Sequence, residues 1–219
     1  MADPAGYRND AHWTRSGLTW RENRTAPNYW KDPKWHIANH PVIGVTWYES
    51  AAFCHWLTTK LQAVSHPFSQ FPDTPAGSQF LVTLPSETEW EYAARRDTGR
   101  EYPWKRDIND KWTEGDEARC NVRETNLGRT MAVGLFPNGA TSDGLVDLTG
   151  NVWEWLGTTW DGDWRKVKDE VDGDAGRGLR GGSWAFNREI DLGSRNRNDP
   201  RNDLDIVGFR VVVRAHFSF

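Results

Sequence analysis

Cysteine is scarce in this chain of 219 residues, which contains only Cys54 and Cys120. Two cysteines allow one disulfide at most, and neither has a second Cys or a His at the spacing of a metal-binding knuckle. The pair is more typical of free thiols in a reducing compartment than of a secreted domain held by disulfides.

Long hydrophobic runs are also missing. No apolar stretch approaches the roughly 20 residues that a membrane helix needs, and the first residues lack the basic and apolar regions of a secretion signal. We therefore expect no direct membrane insertion. The localisation stays open, between the cytoplasm and display at a surface through a segment outside this chain.

An excess of positive charge is absent as well. The chain has 31 acidic and 27 basic residues, which are interspersed, and its formal net charge is -4. No basic field is present to attract a phosphate backbone. We therefore expect no nucleic acid among the partners.

Aromatic residues are what the chain has in quantity. Only 37% of the residues are hydrophobic, and the mean hydropathy is -0.78. However, 14 Trp, 9 Phe and 5 Tyr supply apolar area in a few large side chains. This length and composition predict one loop-rich domain over residues 1–219 with an aromatic core.

The order of local signals predicts an α+β fold. Residues 1–40 are interpreted as an extended lead-in pinned by scattered Trp. Residues 41–47 predict a strand or extended segment, and residues 50–61 a first helix. Ser86, followed by Glu89, forms a capping box that starts a second helix. Further strands are predicted at 81–84, at the end of 144–155, at 179–184 and at 209–213, with loops at 62–80, 97–140 and 161–178.

Six motifs in a fixed order carry a family resemblance. They lie at residues 41–54, 84–95, 102–104, 144–155, 180–184 and 208–210. Together they resemble the formylglycine-generating, sulfatase-modifying family and its wider group of C-type-lectin-like domains. The resemblance covers nearly everything from about residue 40 onward. It implies a C-type-lectin-like fold of the formylglycine-generating-enzyme type, with two helices, short twisted antiparallel sheets and much irregular loop.

The catalytic chemistry of that family depends on residues that this chain lacks. The resemblance implies a pair of cysteines after the Gly-Gly-Ser-aromatic element, which binds copper and oxidises a substrate cysteine. The corresponding positions here are about Phe186 and Asp191, and no Cys follows Cys120. Other relatives use an iron site of three histidines, but the six His of this chain are scattered. We expect no catalytic residue and no organic cofactor.

A calcium site is expected at Thr149, Asn151 and Glu154. These residues offer a backbone carbonyl, an amide oxygen and a carboxylate within one short segment, and such hard oxygen donors suit calcium. The family places a structural calcium on this motif. The alternative is that the polar groups satisfy a buried turn through hydrogen bonds alone.

Residues 184–208 form a polar segment between two apolar elements, and we call it the framed segment. Alternation along an extended backbone predicts that Arg195 and Arg197 point toward structural partners while Ser194, Asn196 and Asn198 point outward. Phe186 and Ile190 are expected to be exposed anchors for a ligand. The predicted ligand-binding residues are Ala185, Phe186, Asn187, Glu189, Ile190, Ser194, Asn196, Asn198, Asp199, Asn202, Asp203 and Asp205.

The framed segment resembles the variable region of the target proteins of diversity-generating retroelements, which occur in prokaryotes and viruses. In those proteins an error-prone copying step rewrites adenines, often in Asn codons, near the 3′ end of the gene. Glu189 departs from the pattern, because an AAC codon changed only at its adenines does not become a Glu codon. The resemblance implies a noncatalytic protein that binds a protein or glycan through a variable surface. The alternatives are a fixed lectin-like interaction or sensor module and an enzyme with altered chemistry.

Overall fold

The structure is a computed structural model that describes residues 4–64, 79–160, 163 and 168–216. Its helices are α1 Pro4–Arg8, α2 Arg15–Arg21, α3 Trp47–Gln62 and α4 Glu87–Arg95. Its strands are β1 Gln79–Thr83, β2 Trp153–Thr159, β3 Lys168–Asp169, β4 Arg177–Arg180, β5 Arg195–Asn198, β6 Val207–Gly208 and β7 Val212–His216. Within the residues described, no helix combines the length and apolar character needed to cross a bilayer. The arrangement is the α+β type that the sequence predicts.

Two small sheets organise the strands. Strand β1 pairs antiparallel with β7, and a second sheet has the order β3-β2-β4-β5. The short strand β6 joins the second sheet by pairing with β2 in parallel, with Trp153 opposite Val207. This parallel pairing departs from the purely antiparallel sheets that were expected. It brings the C-terminal end of the framed segment against the central strand β2.

Helix α3 begins earlier than predicted. The Thr46 hydroxyl accepts a hydrogen bond from the Glu49 amide at 3.2 Å, and the Glu49 carboxylate accepts one from the Thr46 amide at 2.8 Å. This capping box satisfies amides that a helix start leaves free, so the helix begins at Trp47. The described backbone at residues 41–46 is not a strand, which corrects one of the two interpretations of that segment.

The capping box predicted for the second long helix is confirmed. The Ser86 hydroxyl accepts from the Glu89 amide at 3.1 Å, and the Glu89 carboxylate accepts from the Ser86 amide at 2.8 Å. Helix α4 therefore starts at Glu87. It ends at Arg95, one residue before the predicted end at about Arg96.

The first 40 residues are not simply extended. Helices α1 and α2 occupy part of this segment, because local caps such as Thr14, whose hydroxyl accepts from the Gly17 amide, stabilise short turns. The expected aromatic pinning is present: Trp13 is buried and stacks on Trp20, which in turn packs against Tyr48 of α3. The prediction of an extended backbone for this segment was wrong, whereas Trp13 and Trp20 do anchor the segment as the sequence suggested.

Buried indoles hold the core to the backbone. Trp47 donates its indole N–H to the Leu156 carbonyl at 2.8 Å, and Trp155 donates to the Val45 carbonyl at 2.9 Å. The Arg177 guanidinium lies over the Trp47 ring, 3.6 Å from its centroid. Large aromatic side chains therefore supply both apolar area and fixed hydrogen bonds.

The remaining predicted strands are present in the structure, but most of them are shifted along the chain. The strands predicted at 81–84, 179–184 and 209–213 overlap β1, β4 and β7, each shifted by a few residues. The end of 144–155 runs into β2. Part of the loop predicted at 62–80 and part of that at 161–178 lie outside the described residues.

Removal of the α4 cap tests this account of the helix start. Ser86→Ala deletes the acceptor for the Glu89 amide, and we expect a loss of about 1 kcal/mol in the free energy of unfolding, measured by urea denaturation. Thr88→Ala, two residues further along the chain and exposed, is the matched control and should change the free energy of unfolding by less than about 0.5 kcal/mol. Equal effects of the two substitutions would contradict the capping role.

Candidate ligand face

The main chain of the framed segment is tied to the rest of the protein by hydrogen bonds between backbone groups. These bonds reach from both ends and from the middle of the segment to residues elsewhere in the fold. They are Trp184 N to Asn151 O, Arg123 N to Phe186 O, Leu192 N to Glu101 O, Trp47 N to Pro200 O, Gly44 N to Leu204 O and Trp153 N to Ile206 O, all between 2.7 and 3.1 Å. Because backbone groups make them, these bonds do not depend on which side chains the segment carries.

We call the twelve predicted ligand-binding residues of the framed segment the face. Their polar side chains form hydrogen bonds only with near neighbours in the sequence. Asn196 accepts from the Arg197 amide at 2.8 Å, and Asn198 accepts from the Asp199 amide at 3.0 Å. The Ser194 hydroxyl donates to Asp191 at 2.8 Å. Within the described part of the chain, none of the twelve predicted ligand residues has a side-chain hydrogen bond that leaves the framed segment. These side chains do not link the segment to the scaffold.

The arginines of β5 behave partly as predicted. Arg195 forms an ion pair with Glu87 at the start of α4, and Arg197 donates to the Trp160 carbonyl at 3.5 Å. Both therefore contact the scaffold. The exposure is opposite to the expectation, because the two arginines are exposed while Asn196 and Asn198 are half-buried.

Glu87 joins two arginines from neighbouring strands. Arg180 Nε lies 2.8 Å and Arg195 Nε 2.5 Å from Glu87 Oε1. Burial alone would raise the pKa of Glu87, but the hydrogen bonds and charges of the two arginines outweigh it and hold that pKa below its ordinary value. The carboxylate is thus ionised at neutral pH and fixes Arg195 as part of the scaffold.

Phe186 and Ile190 are not the exposed anchors that the sequence suggested. Phe186 is half-buried and packs edge-to-face against Trp153, with ring centroids 5.5 Å apart. Ile190 is half-buried against Gly182, where an added Cβ would lie 2.1 Å from Ile190 Cγ2. Gly182 has a φ of +74°, which favours glycine. Their apolar surface is largely used within the protein.

None of the twelve predicted ligand residues is fully buried. Three of them are exposed, namely Glu189, Asp199 and Asn202. The others are half-buried: Ala185, Phe186, Asn187, Ile190, Ser194, Asn196, Asn198, Asp203 and Asp205. Sequence reasoning missed Leu204, which is 41% exposed although it lies between two of the predicted residues. An isolated aliphatic residue in a polar run was the available signal.

A cleft of about 670 Å³ borders the first part of the face. Arg188 and Glu189 line it together with Tyr102 and Trp112. The Tyr102 hydroxyl donates to the Arg188 carbonyl at 3.0 Å. Burial, with nearby acids such as Asp191, raises the pKa of Tyr102 to about 12, so the hydroxyl keeps its proton. The cleft gives the face a concave part with an aromatic wall.

Two of the three residues expected to bind calcium, Asn151 and Glu154, are engaged in other interactions. Glu154 is 4% exposed, and its carboxylate accepts hydrogen bonds from Trp90 Nε1 at 2.6 Å and from Arg210 Nε at 2.5 Å. Asn151 accepts from the Met131 amide at 3.0 Å, and the Thr149 hydroxyl is buried without a hydrogen-bond partner among the described residues. A guanidinium beside the carboxylate disfavours a divalent cation. Asn151 and Glu154 fit calcium poorly, and the alternative of a hydrogen-bonded turn describes these two residues better. Calcium binding itself stays a prediction.

The two thiols have the properties of core residues. Cys54 and Cys120 are both buried and free. Burial raises the pKa of Cys54 to about 12, and burial together with acids such as Asp116 raises that of Cys120 to about 12. Among the described residues, no group of three or more His, Cys, Asp and Glu side chains is placed to hold a metal ion.

Comparisons with known proteins cover most of the chain. The model of the sulfatase-modifying factor enzyme 1-like domain matches residues 2–215. A formylglycine-generating enzyme of Streptomyces coelicolor is 30% identical over 201 residues, covering 82% of this chain and 54% of that protein. An inactive C-alpha-formylglycine-generating enzyme 2 of Mus musculus is 29% identical over 185 residues, covering 80% of this chain and 49% of that protein. The chain spans about half the length of these curated relatives.

A solved structure extends the comparison to the fold. Treponema denticola variable protein 1 is similar, with a TM-score of 0.59 and 25% sequence identity, over 89% of this chain and 79% of that one. The likeness confirms the C-type-lectin-like fold of the formylglycine-generating-enzyme type. It also confirms the resemblance to a variable protein that the framed segment suggested.

Loss of Arg210 tests the role of the buried Glu154 carboxylate. Arg210→Met leaves that carboxylate without its cation, and we expect a loss of about 3–5 kcal/mol in the free energy of unfolding, measured by urea denaturation. The control is Arg201→Met, which removes a more exposed ion pair with Asp174 and should cost about 0–1 kcal/mol. If both variants were equally stable, Glu154 would not depend on Arg210.

Thiol labelling tests the burial of both cysteines. With a pKa of about 12, only about one thiol in ten thousand is ionised at pH 8. We expect a disulfide reagent to label neither Cys54 nor Cys120 in the folded protein and to label both after unfolding in denaturant. Rapid labelling of either thiol in the folded protein would reveal a reactive cysteine and reopen the enzymatic alternative.

Proposed function

Since this chain belongs to the sulfatase-modifying factor enzyme 1-like domain family, we propose that it is a noncatalytic member that binds a ligand through the framed segment, residues 184–208. The observation that carries the proposal is that the backbone and the polar side chains of that segment bond to different parts of the protein. Its backbone is bonded to the scaffold, whereas the described side-chain hydrogen bonds of its Asn, Asp, Glu and Ser residues stay within the segment. Such a surface tolerates many sequences without loss of the fold.

The residues at the family's catalytic positions support a noncatalytic role. Phe186 packs on Trp153, and Asp191 accepts a hydrogen bond from Ser194, so both are used structurally. The two thiols of the chain lie elsewhere in the core. The family also includes a relative named as inactive. Copper-dependent oxidation of a cysteine has no thiolate ligand here at those positions.

The likeness to a variable protein supports a diversified segment. The exposed residues of the face, Glu189, Asp199 and Asn202, offer hydrogen-bonding groups beside and within the cleft at Tyr102. These features suit a protein or glycan surface rather than a nucleic acid, because the protein has no excess of positive charge.

A fixed interaction module is the second candidate, because Glu189 does not fit adenine-directed rewriting of an AAC codon. The two candidates differ in their genomic surroundings. A diversified receptor requires a near-identical, adenine-rich template repeat and a reverse transcriptase gene close to this gene. If the surrounding sequence held neither, the face would be a fixed one.

Binding and stability should separate at the polar positions. We expect the triple variant Asn196→Ala, Asn198→Ala and Asn202→Ala to lose the signals that the unmodified protein gives on glycan and cell-surface protein arrays, while its melting temperature changes by less than about 3 °C. The matched control, Asn109→Ala, is exposed and outside the segment, and should keep both properties.

Phe186→Ala provides the opposite case. Because Phe186 packs on Trp153, truncation should destabilise the protein by about 2–3 kcal/mol as well as affect the face. An equally large loss of stability in the triple Asn variant would show that the polar residues hold the fold, which contradicts the proposal. Unchanged array signals in that variant would place the ligand elsewhere.

A further inference from the structure

The cleft beside Tyr102 is lined mainly by acidic side chains. Its volume of about 670 Å³ lies within the range of about 300–1,000 Å³ that is usual for ligand sites. The charged residues of its lining are four glutamates and one arginine, namely Glu114, Glu117, Glu124, Glu189 and Arg188. All of them are exposed except Glu117, which is half-buried. The lining therefore carries an excess of negative charge.

The four glutamates have no cation of their own. Within the described part of the chain, none of them forms an ion pair, and neither does the Arg188 guanidinium. Cations close to the lining residues in sequence are engaged elsewhere. Lys105 and Arg119 pair with Asp116 at 2.7 and 3.1 Å, and Arg123 donates to a backbone carbonyl at 3.0 Å. The negative charge of the cleft is thus left for a group from outside the chain.

Trp112 adds an aromatic surface to the same cleft. It is half-buried and packs edge-to-face on Tyr102 and Trp104, with ring centroids 5.2 and 5.9 Å apart. Trp20, by contrast, has the Arg24 guanidinium over its ring at 4.5 Å. No Lys or Arg among the described residues lies over the ring of Trp112. A ring face and unpaired carboxylates both attract positive charge, so together they favour a cationic ligand.

We propose that this cleft binds an arginine side chain of a protein ligand. The inference rests on the proposed function and narrows the ligand of the framed segment to a protein with an accessible arginine. A planar guanidinium both stacks on an indole and donates two parallel hydrogen bonds to a carboxylate, whereas an ammonium group is a point charge. Glu114, Glu117 and Glu124 lie outside residues 184–208. The preference for a cation therefore belongs to the scaffold, whatever side chains the framed segment carries.

Peptide titration tests the cleft on the intact protein. The probe is a capped pentapeptide with one arginine between pairs of glycines, and its counterparts carry lysine or citrulline, the uncharged analogue of arginine. Binding is followed by the indole N–H signal of Trp112, which is assigned by its absence from Trp112→Phe. We expect saturable binding of the arginine peptide, about threefold weaker binding with lysine and about tenfold weaker binding with citrulline. Raising NaCl from about 20 mM to about 500 mM should weaken the arginine peptide about fivefold.

Charge variants of the lining give opposite expected effects. Glu114→Gln with Glu124→Gln removes two charges, and neither side chain makes a hydrogen bond among the described residues, so the fold should be kept while binding weakens about fivefold. Arg188→Gln removes the competing cation and should tighten binding about twofold. The matched control is Glu22→Gln with Asp97→Asn, two exposed carboxylates outside the cleft, which should leave binding unchanged.

Failure of this inference is distinguishable from failure of the proposed function. Absence of saturable binding by the arginine peptide at low salt would overturn the inference, as would equal binding of the citrulline peptide or undiminished binding by the double Glu variant. If the triple Asn variant lost its array signals while no arginine peptide bound, only the inference would fall. If the arginine peptide bound as expected while the triple Asn variant kept its signals, the proposed function would fall and the arginine site would stand.

Discussion

Backbone hydrogen bonds from distant parts of the chain hold residues 184–208 in place, and the properties of the candidate face depend on this constraint. Carbonyls at Phe186, Pro200, Leu204 and Ile206 accept from amides outside the segment. A backbone carbonyl is present whichever side chain the residue carries. The scaffold therefore sets the course of the segment across the surface. Most of the polar side chains of the segment make no described hydrogen bond to that scaffold.

The scaffold meets this requirement through buried charges and indoles. Glu154 on β2 is bonded to Trp90 of α4 and to Arg210, just beyond the end of the framed segment. A buried carboxylate of this kind is stable only with its partners, so the elements that carry them are held together. Arg195 and Arg197 are exceptions within the segment, because an ion pair with Glu87 and a hydrogen bond to the Trp160 carbonyl, respectively, connect them to the scaffold. Variation at Arg195 should be less well tolerated than at the neighbouring Asn residues.

Local signals in the sequence were sufficient for some elements and not for others. Ser86 and Glu89 are three residues apart, and their capping box predicted the start of α4. The same pattern at Thr46 and Glu49 was available, but the β-branched residues before it favoured a strand, and packing rather than propensity decided the outcome. The helices within residues 1–40 are short and depend on contacts with α3, which a periodic pattern does not show.

The candidate site was predictable in place but not in its contacts. Its position between two apolar elements could be read directly from composition. The burial of Phe186 could not, because Trp153, its partner, is distant in sequence. Likewise, Glu154 offered oxygen atoms that suit calcium, while the guanidinium that occupies them comes from a residue 56 positions away. Exposure and ion pairing are tertiary properties, and these are the points at which the sequence predictions needed correction.

The central claim is that backbone bonds fix the face while its polar side chains stay free to vary. A protease-resistance scan of all single substitutions from residue 184 to residue 208 tests it most directly. The account predicts that folding tolerates nearly every substitution at Asn187, Asn196, Asn198 and Asn202, and that it is lost with most substitutions at the buried Leu192 and Val207. A uniform loss of resistance at the Asn positions would contradict the account.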